Sequence, residues 1–133
     1  RAELGGICLN WGCIPTKSLL KSAQVLDYAR HAEAYGVQVT EAQPDFNAII
    51  ARSRGVAEKM SKGIQYLFKK NNITVLEGNG KLTSDKKVEV TDNTGVSQLY
   101  EAQHIILATG ARSRQLPAIP QDGKRIIGYR HGV

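Results

Sequence analysis

The stretch Gly5-Gly6-Ile7-Cys8-Leu9-Asn10-Trp11-Gly12-Cys13-Ile14-Pro15-Thr16-Lys17 decides how this chain is read, because it holds both of its cysteines and leads into its first long helical pattern. From Ile14 to about Ala34 the residues are good helix formers, with Leu19, Leu20, Ala23, Leu26 and Ala29 recurring at spacings of three and four. Pro15 suits the first turn, where a missing N–H costs nothing, and Gly36 suits the position past the end. On a regular helix, residues five apart stand ~8.6 Å apart between Cα atoms, whereas a disulfide needs roughly 4.4–6.8 Å. If Cys8 and Cys13 bond, the chain between them must leave regular helical geometry, and Gly12 gives the backbone that freedom. Such a bond would stand at a helix N-terminus, where free N–H groups and the macrodipole stabilise a thiolate after reduction.

Elimination narrows the chemistry without closing it. A zinc site needs about four N or S ligands, and His31, His104 and His131 lie on unrelated elements. A thioredoxin-type centre has two intervening residues, not the four found here. A structural disulfide is out of character for a chain whose other features suggest an intracellular protein. A structural bond and a dithiol redox centre both stay open on the residues alone.

Outward from this stretch, Pro44 and Asp45 open a second helix, Asp45 as its N-cap, carrying Phe46, Ile49, Ile50, Val56, Ala57, Met60, Ile64, Leu67 and Phe68 to a stop at Asn71-Asn72. The short connection from Gly36 to Pro44 predicts that the two helices pack antiparallel, with Leu20, Leu26, Ile49, Val56 and Met60 in shared contact and Val37 and Val39 over one end. After Asn72 the apolar period shortens to two. Ile73–Leu76 reads as a strand, Lys87–Val90 and Gln98–Tyr100 as a hairpin across Asp92-Asn93-Thr94-Gly95, and His104–Ala108 as a buried strand. The Pro117 and Pro120 loop reads as a connector. This order predicts an incomplete doubly wound α/β domain, two long antiparallel helices followed by a β-rich segment, whose buried strand lacks parallel neighbours.

Composition fits that reading. The chain has 133 residues, 41% hydrophobic and 23% charged, the profile of a soluble globular protein. No stretch approaches the ~20 apolar residues that span a bilayer. The net charge of +6 is spread over Lys59, Lys62, Lys69, Lys70, Lys86, Lys87, Arg112 and Arg114, and aromatics make up only 6%, which argues against a nucleic-acid partner. The chain opens on Arg1 rather than Met and stops at Val133 without a closing element, so it is expected to be a piece of a larger protein.

The cysteine stretch resembles the redox-active disulfide signature of the flavin-dependent pyridine nucleotide-disulfide oxidoreductases. Leu9 and Ile14, where glutathione- and mercuric-reducing relatives usually carry Val, make it most similar to the branch that oxidises dihydrolipoyl groups; another FAD-dependent disulfide reductase, or an inactive structural or binding fragment, is the alternative. Many members carry Val at the position of Trp11, a departure that alters packing rather than chemistry. Leu76-Glu77-Gly78-Asn79-Gly80 is similar to the family's segment beside the FAD adenine, and Ile106-Leu107-Ala108-Thr109-Gly110-Ala111 to its flavin-lining strand and turn.

The resemblance implies that Cys8 forms the mixed disulfide with substrate, while Cys13, nearer the flavin, holds thiolate character and pairs with the ring. Lys17, one turn after Cys13, would reach the flavin's polar edge. Gly80, Asn79, Thr109, Gly110 and Ala111 would be further cofactor contacts, in a partial FAD-binding domain over 1–115 followed by a connector over 116–133 towards an NAD-binding domain. It also implies electron transfer through FAD to NAD+, a homodimer, dihydrolipoyl groups on the acyltransferase of a 2-oxoacid dehydrogenase complex, and a cytoplasmic or mitochondrial-matrix location. The family's pyrophosphate-binding Gly-x-Gly-x-x-Gly loop and its His–Glu base are not in these residues. Glu3 and His131 are not expected to replace the family's ribose-binding acid or its base. Each remaining contact to FAD would contribute ~1–2 kcal/mol against association costs of ~4 kcal/mol or more, so the chain alone is expected not to retain FAD.

Overall fold

In chain order, the computed structural model, which describes residues 3–84 and 86–131, contains α1 (Gly6–Trp11), α2 (Cys13–Arg30), a 3-10 turn (Ala32–Tyr35), α3 (Phe46–Lys70), β1 (Asn79–Leu82), β2 (Lys87–Thr91) and β3 (Ser97–Glu101). The expected first helix therefore begins one residue earlier and ends sooner than its apolar pattern suggested. At its far end the chain tightens into the 3-10 turn, closed by Gly36 at φ 73° with its N–H on the Glu33 carbonyl at 3.0 Å. Asp45 caps α3 as expected, accepting the Ala48 N–H at 3.0 Å. Asn72, at φ 52°, turns the chain out at the other end.

The two long helices run antiparallel. Contacts ascend α2 as they descend α3: the Ser53 hydroxyl donates to the Pro15 carbonyl at 3.3 Å, and the Arg52 guanidinium donates to the Ser18 carbonyl and hydroxyl at 2.9 and 2.7 Å. What fills the seam differs from the apolar stripe that the pattern predicted. Pro15, Ser18, Ser53 and Ala57 are the buried residues there, whereas Leu20 and Met60 are 63% and 42% exposed. Small side chains let the backbones approach, while the Ser53 hydroxyl donates to the Pro15 carbonyl and the Ser18 hydroxyl accepts from Arg52 within the seam. Leu26 and Ile49 do share a groove, and Val37 and Val39 flank the end of α2 with Ala29 and Ala32.

β1, β2 and β3 form an antiparallel sheet in that order, with Leu82 opposite Val88 and Lys87 opposite Glu101. The hairpin turn follows from its sequence. One oxygen of Asp92 accepts the Thr94 hydroxyl at 2.6 Å and the Thr94 and Val96 N–H groups at 2.8 and 3.0 Å, which holds this carboxyl below its ordinary range, while Gly95 takes φ 90°. β1 is an addition: Asn79 and Gly80 are poor strand formers, but the free edge of β2 recruits them.

Two expected strands do not form. Ile73–Leu76 and His104–Ala108 are irregular and, apart from the half-buried Ile105, exposed, Ile106 at 90% and Leu107 at 70%, because no strand among the described residues lies beside them to complete a ladder. The Pro117–Pro120 loop is irregular as expected, apart from a single bridge between Leu116 and Ile119.

The seam makes a discriminating prediction. Ala57→Leu forces a larger side chain between α2 and α3 and is expected to destabilise by about 1–3 kcal/mol in denaturant titration. Leu20→Ala, at an exposed position, is expected to change stability by no more than about 0.5 kcal/mol. The reverse ranking would show that the large apolar stripe holds the pair.

Candidate functional site

The helix break at Gly12 organises the cysteines. A Cβ placed on Gly12 would stand 3.0 Å from the Ile7 carbonyl oxygen and 3.1 Å from the Cys8 Cα, both backbone atoms of α1. A side chain there would meet this backbone more tightly than Cβ atoms usually do, so glycine favours the close approach of α1 to the start of α2. Cys8 consequently lies on α1 and Cys13 opens α2, each exposed and each a free thiol, with the side chains within hydrogen-bonding range of one another. The expected distortion is thus a short helix and a sharp break rather than an irregular turn.

The electrostatics of the pair follow from this proximity. The Cys8 thiol is pushed above its ordinary value, chiefly by its hydrogen bond with the Cys13 side chain, and further by desolvation and by charge repulsion from that sulfur. A backbone hydrogen bond at Cys13 and the positive charge of Lys17 pull the other way. Lys17 lies four residues after Cys13 on the same face of α2 and is exposed.

Three residues of the surroundings were not anticipated. Asn10 is buried and donates its amide to the Leu4 and Gly6 carbonyls at 2.9 and 3.0 Å, tying α1 to the preceding chain. Arg54 of α3 donates to the Asn10 carbonyl, placing a cation at the C-terminal end of α1, where it complements the unpaired carbonyls. The Arg130 guanidinium sits 4.3 Å from the centre of the Trp11 ring. A polar Asn within an otherwise apolar hexapeptide was the available signal for the first. The Arg54 and Arg130 contacts join positions far apart in sequence and leave no local pattern.

The structure brings Cys8, Cys13 and Lys17 together. It places Asn79 and Gly80 on the outer strand β1, opposite Thr91 and Val90, and Thr109, Gly110 and Ala111 on an exposed irregular segment where Gly110 takes φ 74°. Gly78, just before β1, is needed for close approach, since a Cβ there would lie 2.3 Å from the Thr91 carbonyl oxygen. Among the described residues no cluster of three or more His, Cys, Asp or Glu could hold a metal ion, and no helix is long and apolar enough to cross a membrane.

Comparison with known proteins bears directly on this arrangement. Residues 2–131 match the family described as pyridine nucleotide-disulphide oxidoreductase. The chain is 50% identical over 135 residues to a dihydrolipoyl dehydrogenase of Zymomonas mobilis, covering all of this chain and 28% of that protein. It is 38% identical to the dihydrolipoyl dehydrogenase of Bacillus subtilis over all of this chain and 29% of that protein. To the mitochondrial dihydrolipoyl dehydrogenase 1 of Arabidopsis thaliana it is 39% identical over 96% of this chain and 25% of the relative. The crystal structure of LpdA from Mycobacterium tuberculosis superposes with a TM-score of 0.88 at 26% identity, over 98% of this chain and 29% of that one. The chain thus spans little more than a quarter of the length of these relatives.

The coupling between the thiols predicts opposite effects of two substitutions on the pH at which Cys8 becomes alkylated. Cys13→Ala removes the largest influence raising the Cys8 thiol, so the onset of reaction with iodoacetamide is expected to move to lower pH. Lys17→Met removes a positive charge that favours the thiolate, so the onset is expected to move to higher pH. Rates followed by mass spectrometry across pH check both signs.

Proposed function

The chain belongs to the pyridine nucleotide-disulphide oxidoreductases, and on that premise we propose that it contributes the dithiol–disulfide centre and part of the flavin-binding domain of an enzyme that oxidises dihydrolipoyl groups and passes the electrons through FAD to NAD+. The observation that carries this reading is the pair of exposed free thiols on either side of the Gly12 break, near enough for Cys13 to raise the Cys8 thiol. Their proximity allows closure and opening of a disulfide, and their exposure allows a substrate dithiol to reach them.

In the oxidised state, a thiolate of the dihydrolipoyl group attacks Cys8 Sγ, the Cys8–Cys13 bond breaks, and Cys13 leaves as thiolate. The second substrate thiol, losing its proton, attacks its partner sulfur in the mixed disulfide. The lipoyl ring closes and Cys8 is released, so two electrons have moved from substrate to the cysteine pair, the proton of the second substrate thiol passes to Cys8 and Cys13 stays a thiolate. Cys8, on the short α1, is the sulfur offered to substrate. Cys13, anchored at the first turn of α2, is the one that leaves and later recloses the bond.

The residues fit a flavin on this side of the centre. Lys17 is exposed beside the thiols and makes no ion pair among the described residues, so its ammonium is available to the polar edge of an aromatic ring system. When bound, FAD accepts the two electrons as the disulfide reforms. Asn79 and Gly80 on the free edge of β1, and Thr109, Gly110 and Ala111 on their exposed segment, are the further positions that would hold it. These contacts are too few to keep FAD on the 133 residues alone. Dihydrolipoyl groups carried by the acyltransferase of a 2-oxoacid dehydrogenase complex, a homodimeric assembly, and the cytoplasm or mitochondrial matrix complete the reading; relatives from both bacteria and mitochondria support it.

A thiol–disulfide titration tests this function. The chain, oxidised with a small disulfide to close Cys8–Cys13, is expected to be reduced by dihydrolipoamide with one equivalent consumed per chain. Cys13→Ser and Cys8→Ser are each expected to abolish this reaction, because neither variant can close the disulfide that the substrate dithiol opens. Failure of dihydrolipoamide to open the closed pair would overturn the assignment.

A further inference from the structure

Away from the cysteines, a cavity of about 360 Å³ is lined by Arg112, Ser113, Gln121, Tyr129, Arg130 and His131, among others, with no carboxylate in its wall among the described residues. Cationic and donor groups therefore converge there from two segments of the chain. None of the ion pairs among the described residues involves Arg112, Arg130 or His131. The nearby acid in sequence, Asp122, is occupied elsewhere. Its carboxylate accepts the Lys124, Arg125 and Ile126 N–H groups at 2.8, 2.9 and 2.9 Å, which hold it ionised and turned into its own loop.

Two arginines lining one cavity bring like charges into the same wall, and an anion between them relieves the repulsion. Their planar forks match the paired oxygens of a phosphate, and the Ser113 and Tyr129 hydroxyls and the His131 ring can donate to the oxygens that remain. We propose that this cavity is a binding site for a phosphate-type oxyanion, held between Arg112 and Arg130. The site is independent of the dithiol reading, since it uses neither cysteine nor the residues assigned to flavin.

Trp11 provides the readout. It is the chain's single tryptophan, and Arg130 lies over its ring while also lining the cavity, so an anion that engages Arg130 alters the surroundings of the indole. The experiment is a fluorescence titration of the chain with inorganic pyrophosphate at constant ionic strength, matched against sodium chloride, with binding heat measured in parallel by calorimetry. A saturable response is expected that chloride does not reproduce, at least tenfold weaker in Arg112→Gln, a variant that leaves Arg130 in place over the Trp11 ring. Arg112→Lys, which keeps the charge but loses the fork, is expected to fall between the two, and circular dichroism identifies any variant that has lost its helices. A parallel titration with ADP separates the sources of the group: equal affinity means a free anion, and tighter binding means a phosphate carried on a nucleoside. The proposal is overturned if neither fluorescence nor heat saturates, if chloride gives the same response, or if a folded Arg112→Gln binds pyrophosphate like the unaltered chain.

Discussion

The close approach of α1 to the start of α2 across Gly12 is the constraint on which the site depends. The Ile7 carbonyl oxygen and Cys8 Cα crowd the position a side-chain Cβ at residue 12 would take. With that space free, the chain makes a six-residue helix, breaks, and starts again at Cys13, and two cysteines that a continuous helix would hold apart come within hydrogen-bonding range. The same break leaves the Asn10 carbonyl at the end of α1 without a helical partner, and Arg54 supplies one from α3. A local backbone requirement is thereby tied to the packing of the helix pair.

That pair is held by small and polar residues rather than by a wide apolar face. Ser53 is fully buried and Ala57 nearly so, and Arg52 reaches across to Ser18. Larger apolar side chains, including Leu20, Phe46, Ile106 and Leu107, point into solvent. In a chain that spans little more than a quarter of its relatives' length, these side chains form surfaces to which further structure could add, while the cysteine centre is already assembled from α1, α2 and α3.

The sequence was most legible where the determinants are local. Asp45 as a cap, the three-to-four spacing of α3 and the Asp92–Gly95 turn each act within a few residues, and each produced the expected element. Long-range determinants were not visible. Ile73–Leu76 and His104–Ala108 have the composition of strands, but a strand exists only beside a partner, and composition does not reveal whether one is present. Conversely, Asn79 and Gly80 joined a sheet against their propensity because β2 offered an open edge. α1 was hidden by its two leading glycines and short length, and the small-residue seam by the habit of reading burial from apolar size. The sequence singled out the cysteines and Lys17, which the structure places near one another; the Arg54 and Arg130 contacts, spanning 44 and 119 positions, left no pattern in it.

If the Gly12 approach creates the dithiol, the most direct measurement is the effective concentration of Cys13 toward Cys8, obtained by equilibrating the chain with reduced and oxidised glutathione and resolving the species by mass spectrometry. The account predicts that the unaltered chain closes an intramolecular disulfide. It also predicts that Gly12→Val, with its helix content preserved by circular dichroism, lowers that effective concentration by at least tenfold, leaving the two thiols to form separate glutathione adducts. An unchanged equilibrium in a folded Gly12→Val chain would contradict it, because the cysteines would then be brought together by something other than the space at residue 12.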